Sequence, residues 1–267
     1  MRFRFGKNWK NFAEIITEDK ILESEKNLKK FLELENLKGK TFLDVGCGSG
    51  LSSLAAKRMG ATVTSYDYDL ESVECSKNLK NKFFRNDNSW KIIQGDILDS
   101  TFCKSLGFFD IIYAWGVLHH TGDQWKAMKN IKYNTRDESL IYLALYNDQG
   151  STSKIWRIIK QMYSKVPFFL KPLYVLLMSS YTELKRFLYL SIKFQLFEYF
   201  RTFKNYKNNR GMSYWYDMVD WIGGYPFEVS KPHEVFNFFK DEYNLENFHS
   251  EGKGKGNNLY LFKKKII

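Results

Sequence analysis

Three carboxylates that close short apolar runs, and a histidine pair just past a fourth run, are the residues of this 267-residue chain best spaced to do chemistry. Leu43-Asp44-Val45-Gly46-Cys47-Gly48-Ser49-Gly50 has the pattern of a strand running into a glycine-rich turn. Glycine there lets the main chain approach a ligand where any Cβ would collide. A helix starting near Leu51 would aim free N–H groups and the positive end of its dipole at that ligand. Asp67 closes the next run, in Ser65-Tyr66-Asp67-Tyr68-Asp69, where a nucleotide-like ligand needs an acceptor for two ribose hydroxyls. Asp96 closes the third, in Gly95-Asp96-Ile97-Leu98, placed to accept from an adenine amino group. Beyond the fourth, His119 and His120 stand where a neutral imidazole could take a hydroxyl proton.

These stretches follow one another in order across residues 38–146, and there the chain resembles the class I S-adenosylmethionine methyltransferases. The Asp44-Val45-Gly46-Cys47-Gly48 and Val117-Leu118-His119-His120 signatures are most similar to those of the ubiquinone-biosynthesis O-methyltransferases. The resemblance implies S-adenosylmethionine as cofactor, leaving as S-adenosylhomocysteine, with no metal. It implies that Gly46, Cys47, Gly48 and Gly50 line the methionine end and that Asp44 supports that loop or the amino group. Asp67 with Tyr68 would take the ribose, Asp96 and Ile97 would flank the adenine, and Trp115 would border the cofactor. It also sets His119 and His120 beside the acceptor, as candidate catalytic residues. A dinucleotide-binding protein is the competing reading of the glycine turn, but it would usually carry the third glycine of GxGxxG, and Leu51-Ser52 follows here.

The acceptor side rests on aromatic residues. Tyr146 and Asn147 leave the fifth strand at the edge where the histidines stand. Tyr214, Asp217, Trp221 and Tyr225 lie in a later stretch that includes Asp220-Trp221-Ile222-Gly223-Gly224-Tyr225-Pro226-Phe227-Glu228, similar to one found in a subset of bacterial methyltransferases. These six are the substrate-side candidates. Between them, residues 151–210 hold 12 Lys and Arg against only Glu183 and Glu198, so nearly all of the net charge of +11 falls there. Such a block can face an anionic or glycan-linked substrate, a lipid-like substrate at a membrane surface, or nucleic acid. The expected function is methyl transfer to a small-molecule acceptor, on oxygen, under a helical lid. The alternatives are an RNA methyltransferase using the basic block, which would lack any recognisable RNA-binding module, and a non-catalytic cofactor-binding regulator.

The elements that must position these residues alternate. Strands are expected at 41–45, 62–66, 91–94, 110–114 and 140–146, with helices from Leu51, over 70–82 with Asp69 as N-cap, and over 123–134. Alternation of this kind predicts a doubly wound, Rossmann-like, mostly parallel α/β sheet. Two last strands near 245–250 and 258–262 are expected as an antiparallel edge hairpin around the flexible Gly252–Asn258 turn. The division that follows is N-terminal helices over 1–37 (two, within 9–36), a cofactor-binding core over 38–150, a basic aromatic helical insert over 151–212 broken at Pro167 and Pro172 and closed by a polar cluster at 205–211, and completion of the core over 213–267. Three widely spaced cysteines, and an opening Met1–Lys10 without an apolar run, are the marks expected of a cytoplasmic protein.

Overall fold

The structure is a computed structural model that describes Phe3, Gly6 and residues 16–201, 214–250 and 256–266. The β-branched and apolar runs form strands, each ended by a residue that leaves the sheet. These are β1 (Thr41–Val45), β2 (Thr62–Asp67), β3 (Trp90–Gln94), β4 (Phe109–Trp115) and β5 (Thr135–Tyr146). The helices between them are α2 (Leu51–Arg58), α3 (Leu70–Phe83), α4 (Ser100–Ser105) and α5 (Gln124–Ile131), with α1 (Glu18–Leu32) ahead of β1. Aspartates start three of these helices. Asp69, Asp99 and Asp123 each accept a backbone N–H from the first turn, which removes donors the helix cannot satisfy itself.

Seven strands lie in the order β3-β2-β1-β4-β5-β7-β6, where β6 is Tyr243–Ser250 and β7 is Asn257–Lys264. β1 to β5 are parallel, and β7 runs antiparallel to both β5 and β6. The C-terminal hairpin is therefore as expected, with its second strand against β5 and its first at the edge. Alternation along the strands separates two cores. Phe42, Ile111, Tyr113, Tyr142 and Ala144 face α1 and α2, and Phe31 stacks on Tyr142 with ring centroids 4.1 Å apart. Leu43, Val45, Ile112, Leu143 and Leu145 face α4, α5 and α9 (Pro232–Phe239). On α1 the inward face is Ile21, Leu28, Phe31 and Leu32, and each such side chain contributes about 1.5–3 kcal/mol on burial. Arg58 at the end of α2 pairs with Glu18 and Glu25 at 2.6 and 2.8 Å, which fixes α1 across it.

After β5 come α6 (Ser151–Lys165), α7 (Lys171–Ile192) and α8 (Tyr214–Gly223). Their shared core is small, built on Tyr163, Val175 and Ile222. The insert differs from expectation at one proline. The chain breaks at Pro167, but Pro172 lies in the first turn of α7, where a missing N–H is harmless, and so starts a helix instead of interrupting one. β5 also begins at Thr135, earlier than hydropathy suggests, because Arg136-Asp137-Glu138 is polar. Of the two expected N-terminal helices, the second is α1; residues 9–15, the polar cluster at 205–211 and the turn residues 251–255 lie outside the described residues.

Candidate active site

The ends of β1, β2 and β4 converge on the glycine turn. Gly46 and Cys47 donate their N–H groups to the Tyr66 carbonyl at 2.8 and 3.0 Å, tying the turn to β2. Gly46 has φ +71°, and a Cβ there would meet Val117 of the segment after β4 at 2.3 Å, so neither the conformation nor the space admits a side chain. Gly50, at φ +80°, precedes α2, and no side chain caps that helix. Its first N–H groups thus remain directed at the turn, as an anionic group there requires.

Asp67 ends β2 with one oxygen accepting from the Gly48 N–H at 3.0 Å and the other from the Asp69 N–H at 2.9 Å. A carboxylate offers about four lone-pair directions, so with the Tyr68 N–H also close to it Asp67 keeps acceptor capacity toward a diol. Burial raises its pKa to about 6 against those hydrogen bonds. Asp44 is buried against the first turn of α2. Ser53 Oγ donates to it at 2.5 Å, within a buried chain in which Trp90 Nε1 donates to Ser65 Oγ at 2.8 Å and the two serine hydroxyls lie 2.6 Å apart. Burial pushes Asp44 to about 7. Cys47 is buried with its thiol pushed well up by burial and accepts from Ser76 Oγ at 3.3 Å. Asp96 accepts from the Leu98 N–H at 2.9 Å, Ile97 is buried, and Tyr68 and Trp115 are exposed at the ends of β2 and β4. The serine and tryptophan chain behind Asp44 carries no motif; only the β1–β2–β3 register reveals it.

The histidines sit in a different setting from the open edge expected of them. His119 is wholly buried, stacked on Tyr146 at 3.7 Å, and its Nδ1 accepts the Tyr146 N–H at 3.2 Å. Its neutral form must then carry the proton on Nε2, a buried atom with no hydrogen-bond partner among the described residues. Burial, with His120 and Lys160 nearby, holds its pKa well below the ordinary value. His120 Nδ1 lies 2.8 Å from the Pro226 carbonyl, which only an N–H can satisfy, and burial followed by Lys160 lowers its pKa to about 3. Both rings are therefore uncharged at neutral pH, each keeping its single ring N–H.

Lys160 of α6 was invisible in the sequence as anything but one more surface cation. It is 1% exposed, donates to the Trp221 carbonyl, and has its ammonium 4.2 Å from the Trp221 ring centroid and 5.0 Å from that of Phe227. Burial lowers its pKa to about 7, against an opposing pull from Asp220. Together with Arg157 Nε, which donates to the Phe227 carbonyl at 3.2 Å, it ties α6 to the 221–228 stretch. Glu228 then accepts the N–H groups of Gly122 and Gln124 at 3.0 and 3.3 Å, fixing the loop that follows the histidines.

Of the six substrate-side candidates, Tyr146 and Trp221 come together with the histidines, their rings 6.0 Å apart. Asn147 instead accepts from Asn258 Nδ2 at 2.9 Å, and Tyr214 donates to Glu183 of α7 at 2.9 Å. Tyr225 accepts the Phe3 N–H on its carbonyl, and Asp217 lies half-buried in α8. A cavity of about 600 Å³ lies elsewhere, on the α1 face of the sheet. Asn27 and Phe31 of α1, Ser52, Tyr113, Trp115 and Phe248 are among its walls, and Lys20 and Lys30 stand at it. No residue of the insert lines it, so the expected lid does not form its roof among the described residues. Ser52 donates to the Tyr113 hydroxyl at 3.2 Å, joining the start of α2, and so the glycine turn, to this chamber.

The fold, the glycine turn and the strand-end carboxylates define a class of nucleotide-cofactor enzyme, and residues 18–206 match the family model described as a methyltransferase domain. The chain belongs to that family. It is 30% identical over 110 residues to a ubiquinone biosynthesis O-methyltransferase of Actinobacillus pleuropneumoniae, covering 41% of this chain and 47% of that protein. It is 44% identical over 71 residues to a ribosomal protein L11 methyltransferase of Helicobacter hepaticus, covering 26% of this chain and 22% of that one. The chain thus spans less than half the length of these curated relatives. In fold it is similar to magnesium protoporphyrin IX methyltransferase from Synechocystis with bound S-adenosylhomocysteine, with a TM-score of 0.55 and 11% identity over 92% of this chain and 83% of that one.

Proposed function

We propose that the chain transfers a methyl group from S-adenosylmethionine to an oxygen of a small molecule held in the cavity beneath α1. The observation that carries this reading is the joining of that cavity, at Leu51 and Ser52, to the glycine turn. Its volume of about 600 Å³ suits a small-molecule acceptor. The uncapped start of α2 fits the carboxylate of the cofactor, and Asp67 has acceptor directions left for the ribose hydroxyls. This reading assigns Asp96 and Ile97, just after β3, to the adenine, and Tyr68, just after β2, to the ribose.

When bound, S-adenosylmethionine supplies a sulfonium-activated methyl group and leaves as S-adenosylhomocysteine. The chain's own residues then have to align the acceptor oxygen and exclude water, which can supply much of the rate without a strong base. Phe31, Tyr113, Tyr142 and Trp115 form an aromatic wall suited to a flat apolar acceptor. Lys20 and Lys30 at the same chamber would favour one bearing an acidic group. His119 and His120 act in this reading as positioning residues. One holds the end of β5 through Tyr146, and the other holds the 225–228 segment through Pro226.

The test is formation of S-adenosylhomocysteine with a panel of hydroxylated aromatic acids, in wild type and Trp115→Ala. Turnover with at least one member, and a KM at least about tenfold higher in the variant with cofactor affinity retained, supports the cavity as the acceptor site. Turnover with an unchanged KM in the variant would move the acceptor away from it.

A further inference from the structure

The insert turns only a narrow face toward the rest of the protein. On α7, Val175 and Ser179 are buried, while Leu173, Leu177, Tyr181, Leu184, Leu188 and Ile192 are each more than half exposed. Their spacing of three or four residues places all six on one stripe of the helix, opposite the buried pair. At 1.5 Å per residue the stripe runs for about 28 Å. It continues past both ends of the helix, with Phe168 83% and Phe169 68% exposed before it and Phe194 97% exposed after it. Soluble surfaces scatter such side chains singly; a continuous run of them marks a contact.

Charge says what kind of contact. Residues 151–201 carry nine Lys and Arg against Glu183 and Glu198, and those two acids already face Arg186 and Arg201. Lys154, Lys165 and Lys185 are exposed along the same two helices, and Lys193 is exposed just past the end of α7. A second copy of the chain could match the stripe, but it would bring like charge against like charge. Nucleic acid would match the charge and leave the leucines and phenylalanines in water. A surface that is anionic outside and hydrocarbon within satisfies both features. No helix among the described residues is long and apolar enough to cross a membrane, so the contact runs along the surface.

We propose that the α6–α7 insert docks the protein on a bilayer containing anionic phospholipid. Phe168, Phe169 and the α7 stripe enter the boundary between headgroups and acyl chains, and the flanking lysines pair with lipid phosphates. This goes beyond methyl transfer and does not depend on it.

The test is co-sedimentation of the full chain with vesicles of phosphatidylcholine alone or mixed with phosphatidylglycerol, beside sedimentation velocity without lipid. Wild type is expected to bind the mixed vesicles, less so as salt rises. Both Phe168→Ser/Phe169→Ser and Lys185→Glu/Lys193→Glu should weaken that partition at least about tenfold. All four side chains are exposed, and unchanged circular dichroism and S-adenosylhomocysteine titration confirm that the variants fold. Absence of wild-type binding to the mixed vesicles, or binding that both variants retain, overturns the proposal. So does self-association without vesicle binding that the phenylalanine variant abolishes, which would make a second copy the occupant, or binding to bulk RNA in place of vesicles.

Discussion

At Asp67 a single proton decides how well the ribose can be held. Each carboxylate oxygen takes one backbone N–H, and burial brings the pKa to about 6. Below that pH the group gains a proton and loses acceptor capacity, so affinity for S-adenosylhomocysteine should fall as pH drops through about 6. Asp67→Asn should bind roughly ten- to a hundredfold more weakly, the value of a charged hydrogen bond, and lose that pH dependence. Calorimetric titration across pH 5 to 8 checks both. Lys160 gives a prediction of the opposite sort. The folded chain releases its proton near 7, and an unfolded lysine near 10.5. Between those values the unfolded state binds more protons, so this residue makes stability rise with pH. In urea titrations from pH 7.5 to 9, Lys160→Met should reduce that slope by about 1.4 kcal/mol per pH unit. His119→Ala should leave the Tyr146 N–H unpaired and lower stability by about 1–3 kcal/mol. A loss of turnover with unchanged unfolding would instead restore a direct chemical role for that ring. Asp67 was legible because a carboxylate ending a β-branched run has a position fixed by local pattern. Lys160 was not, since its partners Trp221 and Phe227 lie more than sixty residues away.

At the scale of elements, the strands and aspartate caps were legible because period and cap chemistry are local. Pro172 misled because proline both ends and begins helices, and only the run after it decides which. The cavity was invisible for another reason: its walls come from α1, β4, β5 and the β6–β7 hairpin, which meet only through the sheet order. Phe31 is the α1 side chain that fixes this arrangement, through its stack on Tyr142. Phe31→Ala is expected to lower stability by about 3 kcal/mol and to open the chamber. Unfolding in urea measures the first effect. A raised KM for the acceptor, with unchanged cofactor titration, measures the second. The substrate-side candidates separated for a similar reason: Asn147 and Tyr214 are polar groups near helix and strand ends, and each found a structural partner in Asn258 or Glu183.

Across the whole molecule, the chain divides its chemistry between a sheet whose order brings the ends of β1, β2 and β4 to one turn and an insert held to it by Lys160 and Arg157. The basic character seen in the sequence proves to be split. Lys160 is buried, Arg157 reaches back to the Phe227 carbonyl from an exposed position, and the exposed lysines of α6 and α7 lie among exposed apolar side chains. The central claim is that the glycine turn and Asp67 bind S-adenosylmethionine. The most direct measurement is calorimetric titration of S-adenosylmethionine and S-adenosylhomocysteine into wild type and Asp67→Ala. The account predicts binding of both at micromolar level to wild type and a collapse of affinity in a variant that remains folded. Absence of binding to wild type, or binding of equal strength to the folded variant, would contradict it.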